Sequence, residues 1–178
     1  ILGAGFDSRA IRFSGEGDGM KVYEFDSKNT QQMKFDLYEK GGVRLPAYVQ
    51  YEGIDFEKES LLERMDAIGF PKGRRGLFLM EGVSMYLEPE AIHDTFQTMT
   101  GYMGRHSLVA FDYVYSDVLR RGLRSEKRHY GESEIVQSVS RVKEAWRFGI
   151  EESGIEPFLA QYGLRLVNHM NAKDMEEK

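Results

Sequence analysis

The sequence predicts an α/β fold built on a mostly parallel sheet with helices on both faces. Apolar runs of strand length alternate with stretches of helical periodicity, and several of those runs end in an acid. The chain opens on Ile1-Leu2-Gly3-Ala4-Gly5, two apolar residues entering a Gly-x-Gly turn. Such a turn is what the end of a buried parallel strand looks like where it gives way to a helix. In an open α/β sheet the crevice beyond the strand ends takes a nucleotide-like ligand. A side chain at either glycine would keep that ligand off the backbone.

The elements follow in order. Residues 10–13 continue a short helix, and Gly15-Glu16-Gly17-Asp18-Gly19 is loop. Residues 20–25 alternate and close on Glu24-Phe25-Asp26, a strand ending in acids. Ser27 caps a helix running to about Lys40, where Gly41-Gly42 stops it. Residues 48–51 are a strand with Gly53-Ile54-Asp55-Phe56 at its end, and Leu61, Leu62, Met65 and Ile68 follow at helical spacing. Residues 76–80 are fully apolar, the signature of a strand buried on both faces, and they stop at Glu81-Gly82. Pro89 between Glu88 and Glu90 starts a helix, with Ile92, Phe96, Met99 and Met103 on one face. Residues 107–111 are a further strand, ending at Asp112.

The alternation breaks over about 114–148, a locally basic stretch that reads as an inserted helical cap. It resumes with a helix over 151–162, a stop at Gly163, a strand over 164–167 and a helical start from Asn171.

Composition narrows the function classes. A net charge of −5 gives no general affinity for nucleic acid, and no apolar run reaches the ~20 residues of a membrane span. The absence of cysteine excludes disulfides, thiolate metal sites and a cysteine nucleophile. His93, His106, His129 and His169 show no metal-ligand spacing. The economical expectation is one metal-independent, cytoplasmic domain over 1–178 without a signal sequence. Only Ile1 and Leu2 precede the turn, where a strand contributes roughly five residues, so the chain is expected to be a fragment lacking upstream residues.

The strand ends carry the functional signal. Glu24 and Asp26, Asp55, Glu81 and Asp112 all stand at such ends. Asp26 lies about 20 residues past the glycine turn, where an acid meets ribose hydroxyls in nucleotide-binding βαβ units. An acid at the next strand, Asp55, can accept from an adenine amino group, with Phe56 packing on the ring. The plain alternatives are that Asp55 caps a helix and that Glu24 faces solvent. Glu81 follows a run expected to be buried, and a buried carboxylate needs a partner. The dinucleotide fingerprint asks for a third glycine where this chain has Ser8. S-adenosyl-L-methionine has no pyrophosphate and carries an ammonium, so the relaxed turn and the surplus of acids favour it over a nicotinamide dinucleotide.

Leu2-Gly3-Ala4-Gly5-Phe6-Asp7-Ser8-Arg9, Tyr23-Glu24-Phe25-Asp26, Gly53-Ile54-Asp55-Phe56, Glu81-Gly82-Val83-Ser84-Met85-Tyr86-Leu87 and the late Tyr162-Gly163-Leu164-Arg165-Leu166-Val167 resemble the leucine carboxyl methyltransferase family. More closely, they are similar to its prokaryotic S-adenosylmethionine-dependent branch. The resemblance implies a Rossmann-like class I methyltransferase fold with S-adenosyl-L-methionine as cofactor. Gly3 and Gly5 would border its methionine part, Asp26 the ribose, Asp55 and Phe56 the adenine, and Glu81 the methionyl end near the transferring methyl, with Ala4 and Glu24 also among the cofactor-binding residues. The family's arginine in an N-terminal helical segment is expected upstream of residue 1, where it cannot be matched in this sequence.

Methyl transfer from a sulfonium is an in-line displacement, so alignment is the protein's main service. A carboxylate acceptor, on a small molecule or a peptide C-terminus, is already ionised and needs no base; a hydroxyl acceptor would need one, for which His129 is the loop-borne candidate. Glu81 and Tyr86 are the candidate catalytic side chains. Tyr86, Arg120, Arg121, Arg124 and Arg128 are candidates to bind an anionic acceptor, against the alternative of a solvated charged helix face. His93 and His169 read as structural. The rival functions are a nicotinamide-dependent oxidoreductase and a catalytically silent nucleotide-binding domain.

Overall fold

Ile1 and Leu2, short as they are, form the middle of a parallel sheet. Leu2 pairs in parallel with Phe25. On that side Phe25 N donates to Ile1 O (2.9 Å) and Gly3 N to Phe25 O (2.8 Å), and on the other Leu2 N donates to Leu79 O (2.8 Å). In the computed structural model, which describes residues 1–13, 19–121 and 146–176, β1 (Val22–Asp26) pairs with β2 (Val49–Gly53) and β3 (Leu77–Met80) with β4 (Leu108–Phe111), all parallel. The spatial order is therefore β2, β1, the Leu2 segment, β3, β4. That is a doubly wound order, with its reversal at the opening turn, where ligands of such sheets bind.

The chain divides into two compact units, Ile1–Val83 with Gly101–Asp112, and Ser84–Thr100 with Tyr113–Lys178. In the first, the glycine turn leads into α1 (Arg9–Arg12) and β1 into α2 (Lys28–Lys40). Ser27 caps α2 by accepting from Thr30 N (3.2 Å), and Gly42, at φ +65°, turns the chain away. The inward face of α2 is polar: Gln31 donates to Glu52 O (2.8 Å), and Lys34 is buried against Glu24. Helix α3 (Leu61–Ala67) is capped by Ser60, buries Leu61 and Met65, and ends before Gly69 at φ +64°.

Burial of β3 differs from the expectation. Phe78 and Met80 are buried, but Leu77 is 57% exposed and Leu108, its partner on β4, 51%. Both residues begin their strands, and no described element covers that end of the pair. The fully apolar run is a strand with one buried face, not two.

In the second unit, α4 (Pro89–Tyr102), whose last two residues belong to the first, buries Ile92, Phe96 and Met99 completely, as their spacing predicts. Phe96 meets Phe158 edge-on at 5.0 Å and Tyr162 at 5.1 Å. The helix carrying Phe158 runs Ile155–Ala160, shorter than the expected 151–162, and Gly163 follows at φ +69°. Residues 164–167 form no strand. Their alternation supplies a face, but no described strand lies alongside to complete a ladder, and a strand exists only through its partner. A last short helix, Ala172–Glu176, matches the helical start expected from Asn171.

At the ends of the stretch expected to form a cap, Ile150 N donates to Val114 O (3.0 Å) and Ser116 N to Ile150 O (3.0 Å). Helix α5 (Ser116–Arg121) leads in; residues 122–145, with Arg124, Arg128 and His129, lie outside the described residues. Within them, no helix is long and apolar enough to cross a membrane.

Candidate functional site

The open ends of the central strands gather a glycine turn and a set of charged side chains, all within the first unit. Gly3 sits at φ +65° and Gly5 at φ +45°, the left-handed region that only glycine enters freely. A Cβ on Gly3 would stand 2.0 Å from Val83 Cγ2, whereas the corresponding space above Gly5 is open for 4 Å. Gly3 is thus fixed by packing and by backbone, and Gly5 keeps one side of the turn clear. Ala4, buried between them, gives its N–H to Phe25 O (3.1 Å).

Asp26 ends β1 and reaches back across the crevice. Its Oδ2 accepts from Gly5 N at 2.5 Å and its Oδ1 from Ser27 N at 2.6 Å. A carboxylate has roughly four lone-pair sites, so both oxygens are anchored by backbone donors while each can still accept one more hydrogen bond.

Arg9 links the turn to β3. Its Nε and Nη2 hold Asp7 Oδ2 at 2.8 and 2.7 Å, its backbone N donates to Asp7 Oδ1 (2.7 Å), and Nη2 also pairs with Glu81. Burial pushes the Asp7 carboxyl up, but the side-chain and backbone bonds from Arg9 outweigh it and hold it below the usual carboxylate range. The bonds to Asp7 and then Glu81 raise the Arg9 guanidinium further above its ordinary value. Glu81 does follow a strand and does have a partner, but its side chain is 51% exposed and not buried. Beyond it, Gly82 at φ +68° gives its N–H to both oxygens of Asp112, at 2.8 and 3.0 Å. The acid ending β4 therefore shapes the turn after the acid ending β3.

Glu24 departs from the expectation of either a ligand-facing or a solvated acid. It is 1% exposed and pairs with Lys34 Nζ at 2.5 Å, itself buried. Glu24 lies two residues deeper along β1 than Asp26, and that step carries it under α2. Burial raises its carboxyl above the ordinary range, with Lys34 opposing.

Asp55 forms a local cap. It accepts from Lys58 Nζ (2.7 Å) and, with less effect, from Glu57 N (3.1 Å), and both lower its carboxyl. Phe56 beside it is half-buried.

In the second unit Tyr86 is half-buried in the turn Ser84–Tyr86. Arg120 is exposed and holds Glu151 through both terminal nitrogens, at 2.7 and 3.2 Å. Arg121 ends α5. His93 bonds Tyr162 (3.2 Å) and His169 stacks on and bonds Tyr113 (2.9 Å), the structural roles their positions suggest.

The sequence reading gave no role to Asp7, Arg9 or Lys34. An acid two residues before an arginine at a helix start is a usable signal for the first two. For Lys34 the signal is a polar stripe with Gln31 and Tyr38 on the inner side of a helix whose apolar residues Met33 and Leu37 are exposed.

The chain is 30% identical over 136 residues to a protein of Mycolicibacterium gilvum (strain PYR-GCK) provisionally named an S-adenosyl-L-methionine-dependent methyltransferase, covering 74% of this chain and 44% of that protein. It spans about half the length of the curated relatives it matches. The fold is shared with the mitomycin 7-O-methyltransferase MmcR (TM-score 0.59, 16% identity, 94% of this chain and 42% of that one). It is shared too with the magnesium protoporphyrin IX methyltransferase ChlM of Synechocystis PCC 6803, solved with bound SAH (TM-score 0.56, 11% identity, 97% and 67%). These likenesses show that the sheet is the Rossmann-like sheet that those two proteins share. The family profile described as leucine carboxyl methyltransferase matches residues 1–100, the stretch that holds the turn, Asp26, Asp55 and Glu81, and the chain belongs to that family.

Proposed function

We propose that the chain carries the cofactor site of an S-adenosyl-L-methionine-dependent O-methyltransferase that methylates a carboxylate or a hydroxyl. The observation that carries this is Asp26, locked by Gly5 N–H beside an open glycine turn at the sheet's switch point. A carboxylate fixed there with an acceptor site free on each oxygen suits a vicinal diol, as a ribose presents. Family membership and the provisional name of the relatives support the same reading.

The residues suit the group. Gly5 lets it approach the backbone, Gly3 shapes the turn beside it, Asp26 accepts its ribose hydroxyls, and Asp55 with Phe56 flanks the base. Glu81 stands at the end of the neighbouring strand for the amino-acid end. When bound, S-adenosyl-L-methionine supplies a methyl group on a positively charged sulfur. The chain's own contribution is to hold that end in line with the acceptor oxygen, which is worth most when the acceptor is already ionised. Tyr86, Arg120, Arg121, Arg124 and Arg128 are proposed for the acceptor side. An acceptor carboxylate at Arg120 has to replace Glu151, which makes that residue a weaker anchor than an uncommitted arginine.

Thermal unfolding with ligands tests the reading. S-adenosylhomocysteine is expected to raise the melting temperature and NADH to leave it unchanged. A shift with NADH and none with S-adenosylhomocysteine would make the site a dinucleotide site.

A further inference from the structure

The strands of the first unit pair in parallel, so the loops that enter them lie at one end of the sheet and the loops that leave them at the other. The two ends differ in charge. Asp26, Asp55, Glu81 and Asp112 stand at or just past the ends of the strands. Residues 40–51, 67–80 and 101–111, which lead into and through β2, β3 and β4, hold no acid at all. They carry Arg44, Lys72, Arg74, Arg75 and Arg105, all exposed. None of the five forms an ion pair with a described residue. The loop entering β1 carries Glu16 and Asp18 and lies partly outside the described residues.

Two of the basic loops form one platform. Gly73 N donates to Tyr102 O (2.8 Å), Gly104 N to Arg74 O (2.9 Å) and Gly76 N to Ser107 Oγ (3.1 Å). Lys72 Nζ lies over the Tyr102 ring, 5.4 Å from its centre. Beside these cations the surface is apolar. Leu77 and Leu108 are register partners at the starts of β3 and β4, and both are exposed. At the opposite edge Val43 and Leu45 flank Arg44 and are exposed too. In the strand order above, β2 and β4 are four strand spacings apart, about 19 Å. A single phosphate or a short acidic peptide cannot meet both edges at once, whereas a plane of anionic headgroups can.

We propose that this end of the sheet is a docking surface for an anionic lipid membrane. The arginines and Lys72 lie at headgroup level with their stems along the apolar surface, and the exposed leucines reach the boundary beneath. The acids at the other end of the strands give the sheet a direction. An anionic plane attracts the basic end and repels the acidic one, although the whole chain carries a net charge of −5. Docked in this way, the chain keeps the crevice turned towards solution, and the inference holds whatever the crevice binds.

Co-sedimentation with vesicles tests this. The wild-type chain is expected to partition onto vesicles of phosphatidylcholine and phosphatidylglycerol in equal parts and not onto phosphatidylcholine alone. It should leave the anionic vesicles as salt rises towards about 1 M, where screening is nearly complete. Arg74→Gln combined with Arg75→Gln is expected to lower partition about 25-fold, a factor of about five for each cation. Leu77→Ser combined with Leu108→Ser should lower it further than salt alone does. Arg165→Gln with Lys173→Gln removes the same charge from the second unit and should leave partition unchanged. Equal wild-type partition onto the two kinds of vesicle, partition onto neither, or partition insensitive to salt overturns the proposal without any variant. So does a loss as large for the second-unit pair as for Arg74 and Arg75. A chain that ignores both vesicles and binds poly-L-glutamate or a DNA duplex through Arg74 and Arg75 makes this end a site for another polyanion and overturns the lipid assignment.

Discussion

Replacing Gly3 with alanine is expected to destabilise the chain by about 2–5 kcal/mol and to abolish S-adenosylhomocysteine binding. Two effects add. A non-glycine residue held at φ +65° loses roughly 1–2 kcal/mol. The new Cβ would also fall 2.0 Å from Val83 Cγ2, a separation that real contacts never show, and overpacking of that kind costs about 1–3 kcal/mol. Val83 cannot move freely, because it lies between the turn at Gly82, fixed by Asp112, and the turn Ser84–Tyr86. The melting temperature should drop by roughly 5–15 °C. Gly5→Ala separates the two effects: with φ +45° but no neighbour within 4 Å it should show the backbone strain alone. Gly3→Ala placed in a Val83→Ala background should recover the packing part and not the rest. Equal effects of Gly3→Ala and Gly5→Ala on unfolding would refute the close approach of Val83.

The second large effect is expected at Lys34. Lys34 and Glu24 are each 2% exposed in their side chains and 2.5 Å apart. Beneath α2, Glu24 Oε1 and the Tyr51 hydroxyl find no further partner among the described residues. Lys34→Met leaves Glu24 buried without its counter-ion, a change that typically costs about 3–5 kcal/mol. The pH dependence follows from the direction of the Glu24 shift. Burial, opposed by Lys34, already lifts its carboxyl above the ordinary 4.5, and loss of Lys34 lifts it further. The folded chain then holds this proton to higher pH than the unfolded chain does, so the group's contribution to stability falls as pH rises from 4.5 through the raised folded value. The penalty of Lys34→Met should therefore grow as pH rises above 4.5 and shrink as pH falls below it, where Glu24 is neutral in both states. Glu24→Gln combined with Lys34→Met should restore most of the loss. Urea unfolding of these variants at two pH values measures both effects, and a penalty independent of pH would contradict the buried pair.

Much of the sheet was legible because parallel strands announce themselves by short apolar runs with an acid or glycine at the end. Leu2, Phe25, Phe78 and Met80 carry that signal, and the caps at Ser27 and Ser60 mark the helices between them. Residues 164–167 show its limit: their alternation satisfies the local rule, but a ladder needs a neighbour, which no local pattern supplies. Leu77 and Leu108 show the same limit for burial, since apolar composition says nothing of whether a second layer lies over it. The pairing of Asp26 with the glycine turn was legible from its spacing to that turn. Arg9 was not, because its meaning depends on Glu81, seventy-two positions away in sequence and brought near only by adjacency of the central strands. Glu24 was misplaced for a related reason. Both Glu24 and Asp26 follow the strand pattern, and only the packing of Lys34 from α2 decides which of them goes under the helix.

Hydrogen–deuterium exchange of the chain with and without S-adenosylhomocysteine tests the central claim most directly, because the proposed contacts fall on amides whose present partners are known. Gly5 N–H is held by Asp26, Arg9 N–H by Asp7, and Gly82 N–H by Asp112. Saturating ligand is expected to slow exchange over residues 3–9, 26–27 and 81–82. Ligand-dependent protection elsewhere, with these segments unchanged, would contradict a cofactor site at the glycine turn.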